Sequence, residues 1–273
     1  MAKILQYAGS TLTVSANQTN YTQIQGDAAW TGTEAQAQVT NRSAGTYSSL
    51  YVRIVTNGVT AASTIRSRVN LANGAQSVSI GSSATGVFQD TVNTDAVVDT
   101  DEVNYQCVTG ATGTTMQISV CSMLFDATTD TAKRVTCGRS FPMTNASATL
   151  FMPIGSFITT NATEDHVKMT IRNAATLSNL FLYVSANART TTTTFRTRVN
   201  AVNGAQSVSI ATLATGIFED TVNSDSVVSG NDINFAIVTG TGVESITLKT
   251  TGIVVSSTTS DFFMIGALNG LTI

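Results

Sequence analysis

The segment RVNLANGAQSVSI at residues 68–80 returns as RVNAVNGAQSVSI at 198–210, and this repetition constrains the fold more than any local motif. Between residues 65–110 and 195–240, 27 of 46 positions are identical without a gap. The same offset aligns SSLYVRIVTN from Ser48 with SNLFLYVSAN from Ser178, Tyr21 with Phe151, and MQISVCSMLF from Met116 with ITLKTTGIVV from Ile246. A unit of about 130 residues is longer than solenoid repeats and suits a complete domain. Two tandem modules, 1–130 and 131–260, are therefore expected. The remaining segment 261–273, DFFMIGALNGLTI, falls on the grid where KILQYAGS and KRVTCGRS open the modules. It reads as an extra terminal strand or arm. Such a strand either completes the second module's sheet or pairs with a neighbouring subunit, with Phe262 and Phe263 as interface candidates.

Within one module the periodicity is that of strands. Ile65, Ser67 and Val69 alternate with Arg66, Arg68 and Asn70, and Phe195, Thr197 and Val199 repeat the pattern, as expected for half-buried strands. Asn73-Gly74 and Asn203-Gly204 read as hairpin turns, because that dipeptide tolerates positive φ at both central positions. Val103, Tyr105 and Cys107 align with Ile233, Phe235 and Ile237 as core positions. In the strand from Thr115 to Phe125 the apolar phase moves from Met116 and Ile118 to Cys121, Met123 and Phe125, which predicts a β-bulge. With further strands near Ile4, Tyr21, Ala37 and Leu50, each module has about eight. The expected class is all-β: two tandem antiparallel β-sandwich domains of jelly-roll type, with an ordinary Greek-key sandwich as the alternative.

Composition narrows the function. Charged residues make up 11% of the chain and the net charge is −3, which argues against a nucleic-acid partner. No stretch of 18 apolar residues and no leader-like N-terminus points to a membrane or to export by that route. Cys107, Cys121 and Cys137 lack ligand spacing and read as packing residues.

His166 is the sole histidine, and its counterpart Gln36 cannot act as a general base. No catalytic residues and no cofactor are expected. The acidic crossing DTVNTDAVVDTDE offers Asp90, Asn93, Asp95, Asp99 and Asp101 as calcium candidates, since hard cations take oxygen ligands. The second module has Ser229 and Asn231 at the Asp99 and Asp101 positions, and Asp and Asn also serve turns for backbone reasons. Arg66/Arg68 and Arg196/Arg198 form outward stripes suited to bidentate carboxylate pairing, either within the sheet or across a subunit interface.

The succession R-x-R-V-N, N-G, S-V-S-I, T-G-x-F-x-D-T and N-Y/F-x-x-V-T-G resembles β-rich virion proteins of tailed bacteriophages and related viruses. In those proteins jelly-roll modules serve as capsid decoration, cement or fibre components. The resemblance implies a non-enzymatic structural protein located in the virion and synthesised in the host cytoplasm. It also implies contacts to a major capsid protein or other virion proteins; the duplicated modules and the extra terminal strand favour a homo-oligomer, a trimer above all, in which three chains present six similar units. It assigns no site residues. A carbohydrate-binding or adhesin module pair is the alternative, followed by a small double jelly-roll major capsid protein. For the sugar reading Trp30 is the aromatic candidate, with Thr160 opposite it in the repeat.

Overall fold

The computed structural model describes residues 4–25, 30–128, 133–155 and 160–257. The terminal segment 261–273, with Phe262 and Phe263, lies outside the described residues. The chain divides into two compact units, Met1–Thr131 and Ala132–Ile273. Both are built almost wholly of antiparallel strands.

The first unit contains β1 (Ile4–Ser15), β2 (Thr19–Thr22), β3 (Val39–Thr40), β4 (Gly45–Val59), β5 (Ser63–Val69), β6 (Ala72–Ile80), β7 (Gly86–Val97), β8 (Glu102–Val108) and β9 (Gly113–Ala127). One helical turn, α1 (Glu34–Ala37), precedes β3, so the strand expected around Ala37 is displaced by two residues. The principal strands form two sheets, ordered β1-β9-β4-β7 and β2-β8-β5-β6. The pairing is nested: β1 with β9, β2 with β8, β4 with β7, and β5 with β6. A single long hairpin rolled on itself produces this arrangement, which is the jelly roll. Its tip is the β5–β6 turn within the repeated motif.

The second unit repeats the arrangement with β10 (Lys133–Met143), β11 (Thr149–Met152), β12 (Met169–Thr170), β13 (Ala175–Asn187), β14 (Thr193–Val199), β15 (Val202–Ile210), β16 (Gly216–Val227), β17 (Asp232–Val238) and β18 (Ile246–Ser257). Its sheets are β10-β18-β13-β16 and β11-β17-β14-β15. Each unit closes over its own apolar core. Val52, Ile65, Tyr105, Cys107, Met116 and Ile118 lie in the first, and Leu182, Phe195, Phe235, Ile237, Ile246 and Leu248 in the second.

The register explains two sequence features. Ile54 pairs with Ile118 but Arg53 with Val120, so β9 carries an extra residue at Ser119, and burial passes from Ile118 to Cys121. That is the bulge expected from the apolar phase shift. The hairpin turn, however, is not Asn73-Gly74. Val69 pairs with Ala72, and the loop residues Asn70 and Leu71 have φ of 51° and 66°. This is a two-residue turn with positive φ at both centres, and Asn200 and Ala201 repeat it at 49° and 62°. Asn70 also ties the turn to the neighbouring strand: its Oδ1 accepts the Glu102 N–H at 2.9 Å. Gly74 lies inside β6, where a different requirement selects glycine.

Candidate functional site

Between Arg66 and Arg68 the β5–β6 register slips, leaving Gly74, Ala75 and Gln76 opposite Ser67 alone. The bulge turns Gln76 inward, and its side chain is fully buried. Across the sandwich, the slip between Ser48 and Leu50 frees the Leu50 N–H from the β4–β7 ladder. Gln76 Oε1 accepts that N–H at 2.9 Å. Asp95 of β7 completes the arrangement. It accepts the Ser67 hydroxyl at 2.6 Å, the Gln76 amide at 3.0 Å and the Ala75 N–H at 2.5 Å. These bonds join the two sheets through polar groups, and a buried carboxylate is tolerable only when so satisfied.

Gly74 follows from this geometry. A Cβ there would sit 2.2 Å from Ser67 Oγ and 2.7 Å from Asp95 Oδ1. The second unit reproduces the network with Asp225, Thr197, Gln206, the Ala205 N–H and the Leu180 N–H. Ser67 becomes Thr197 without loss, because only the hydroxyl is used.

Asp90 sustains a second bulge. Thr91, Val92 and Asn93 loop out of β7 opposite Ser49. One Asp90 oxygen accepts the Val92 and Asn93 N–H groups at 3.1 and 3.0 Å, and the other accepts the Ser77 N–H at 2.9 Å. Burial pushes this carboxyl up, but the hydrogen bonds from Asn93, Ser77 and Val92 outweigh it and hold it at about 2, below its ordinary 3.8. Asp220 is shifted down in the same manner by Asn223, Ser207 and Val222. The folded state thus binds its proton less readily than the unfolded chain. Asp90 therefore contributes stability that is complete above about pH 3.8 and is lost as pH falls toward 2. Acid unfolding followed by circular dichroism should show this loss. Asp90→Asn combined with Asp220→Asn should flatten the pH dependence in that window, and an unchanged acid limb would refute the assignment.

The remaining calcium candidates are engaged separately. Asp99 pairs with Arg42 at 2.7 Å. Asp101 accepts the Asn70 amide at 2.7 Å and the Val98 N–H at 2.8 Å. Asn231 accepts the Val228 N–H in the same way, so the Asp-to-Asn exchange between the units preserves the acceptor. Asn93 donates its amide to Asp90 at 2.9 Å. Among the described residues no group of three or more His, Cys, Asp or Glu side chains is placed to hold a metal ion. The acidic crossing is mostly strand β7, whose carboxylates serve the backbone.

The arginine stripes divide into two kinds. Arg68 grips Glu34 of α1 with Nε and Nη2 at 2.8 and 2.9 Å. It also donates to Asn73 Oδ1 and the Leu71 carbonyl. Arg198 holds Glu164 with the same fork at 2.9 Å and lies 5.5 Å from the Phe151 ring centroid. Arg198 accordingly holds Glu164 below the ordinary carboxylate range. Arg68 and Arg198 thus act inside their own units, pinning the connection after β2 or β11 onto the outer sheet face. Arg66 and Arg196 have no carboxylate partner among the described residues, and the Nε of each is buried without an acceptor.

The other candidates have local roles. Cys107 and Cys121 are buried free thiols; burial pushes Cys107 up to about 12 and raises Cys121 further, as expected of inert core groups. Cys137 lies in β10, and its side chain is outside the described residues. His166 is exposed on a 3₁₀ turn, its Nδ1 3.2 Å from the Asn161 amide nitrogen. Gln36 stands in the same place in the first unit and accepts the Thr31 hydroxyl at 2.8 Å. Trp30 packs against the first core. No helix among the described residues is long and apolar enough to cross a membrane.

No protein-family model and no curated protein matches this chain.

Proposed function

We propose that the chain is a non-enzymatic structural protein of a virion, a capsid decoration, cement or minor capsid component that assembles through its jelly-roll modules. The observation that carries this reading is the nested strand pairing present in both units. It is supported by the use of residues identical in the two copies: Gly74, Gln76, Asp90 and Asp95, with Gly204, Gln206, Asp220 and Asp225, brace the scaffold. Two rigid modules of one kind in one chain suit a lattice-capping building block, and a trimer would present six of them.

Light scattering on the purified chain should return a discrete oligomer, with a trimer favoured. The chain should also sediment with virus-like particles when the two are expressed together. A stable monomer that never associates with shells would sink the proposal.

A further inference from the structure

The outer face of the β2-β8-β5-β6 sheet carries a cation, Arg66, that has no carboxylate partner among the described residues. Along one row, Tyr21 pairs with Gln106, Gln106 with Arg66, and Arg66 with Ser77; the next row brings Thr64 between Val108 and Ser79. Strand alternation puts Thr64, Arg66, Ser77 and Ser79 on the side away from the core. The second unit has Phe151, Ala236, Arg196 and Ser207 in the corresponding row.

Arg66 and Arg196 sit on an inner strand of their sheets, β5 and β14, each half-buried with Nε turned into the protein without an acceptor. Among the described residues no hydrogen bond or ion pair engages either guanidinium. Neighbouring Arg68 and Arg198 show what the sheet does when it supplies a carboxylate: both forks of the guanidinium are filled. A half-buried guanidinium left open beside a filled one, in both units, keeps the paired donors that a carboxylate accepts.

We propose that Arg66 and Arg196 are equivalent docking points for carboxylate side chains of an acidic protein partner, one per unit. Charge complementarity selects this occupant, because the outward neighbours Thr64, Ser77 and Ser79 are uncharged and the acid on this face, Glu34, is already held by Arg68. The comparison between units favours a protein carboxylate over an acidic glycan. A sugar receptor needs directional polar groups and a free aromatic ring, but Gln106 is replaced by Ala236, Tyr21 accepts from Gln106, and the Phe151 ring faces Arg198. What the units share is the charge with its flanking hydroxyls. This inference rests on the reading of the chain as an assembly module and names the chemistry of its partner.

The test uses the full chain, with the guanidinium Nε–H NMR signals of the arginines assigned through Arg66→Gln and Arg196→Gln. At low ionic strength an oligoglutamate peptide should shift the Nε–H signals of Arg66 and Arg196 and leave those of Arg68 and Arg198 in place. The double variant should melt as the parent does and lose at least tenfold in peptide affinity. Uniform shifts of all arginines, or none, would overturn the proposal. Shifts caused by polygalacturonate and not by oligoglutamate would overturn it in favour of a glycan. Peptide binding by a chain that ignores shells would remove the proposed function while leaving these receptors intact, and shell association without peptide shifts would do the reverse.

Discussion

Asp95→Ala should destabilise the first unit by on the order of 3–5 kcal/mol, one of the two largest effects expected of any single substitution in this chain. The substitution leaves the Ser67 hydroxyl, the Gln76 amide and the Ala75 N–H without their acceptor in the space between the sheets. Each orphaned buried group costs about 1–3 kcal/mol. Gln76 is also the group that holds the Leu50 N–H, so the loss extends to the opposite sheet. Scanning calorimetry should show the melting of the first unit lowered by on the order of 10 °C. Asp95→Asn should fall between, since it retains one acceptor oxygen but turns an NH₂ group toward donors. A variant melting within a degree of the parent would refute the bracing role.

That network also marks the limit of what the sequence discloses. The strands were legible because alternation along β5, β8 and β14 follows directly from one buried face, and the extra residue in β9 was legible as an apolar phase shift. The Asn73-Gly74 signal puts the hairpin turn three residues later than Asn70 and Leu71, where the chain reverses. Asn-Gly is a strong local turn signal, but here the glycine is selected by the Asp95 carboxylate and the Ser67 hydroxyl, which approach where a Cβ would be. Asn70, also a good residue for positive φ, takes the turn itself. The acidic crossing was read as a cluster for the same reason: spacing along the chain cannot reveal that Asp90 and Asp95 reach different backbone groups on β6. One signal was present. Gln76 shares its inward face with Val78 and Ile80, and Gln206 with Val208 and Ile210, and a polar residue kept there in both copies implies a buried partner. The arginine stripes were ambiguous until Glu34 and Glu164 were placed, 34 residues away in each unit.

The second large effect is confined to the second unit, where Arg189→Val should cost about 3–5 kcal/mol although valine is the native residue at the equivalent Val59. Arg189 is wholly buried. Its guanidinium donates to the carbonyls of Gly242 at 2.8 Å, Asn145 at 2.8 Å and Met143 at 3.2 Å. In the first unit β9 starts at Gly113, which pairs with Val59, while the Ser15 and Thr112 carbonyls accept the Thr109 hydroxyl and the Thr60 N–H. In the second unit β18 starts at Ile246, later in the repeat, and the guanidinium supplies donors where the ladder is shorter. Burial lowers the Arg189 proton affinity and Glu244 raises it, yet Glu244 leaves one buried oxygen without a hydrogen-bond partner. Removing the arginine therefore leaves three carbonyls without their donor and takes the nearby positive charge away from Glu244. Adding Glu244→Thr, which restores the Thr114 identity of the first unit, should recover about 1–2 kcal/mol of the loss in urea unfolding, as expected for residues coupled through one site. The carbonyls remain unpaired in the double variant, so recovery stays partial. Additive losses in the cycle would show that Arg189 and Glu244 are not coupled, and a single variant as stable as the parent would remove the bracing role altogether.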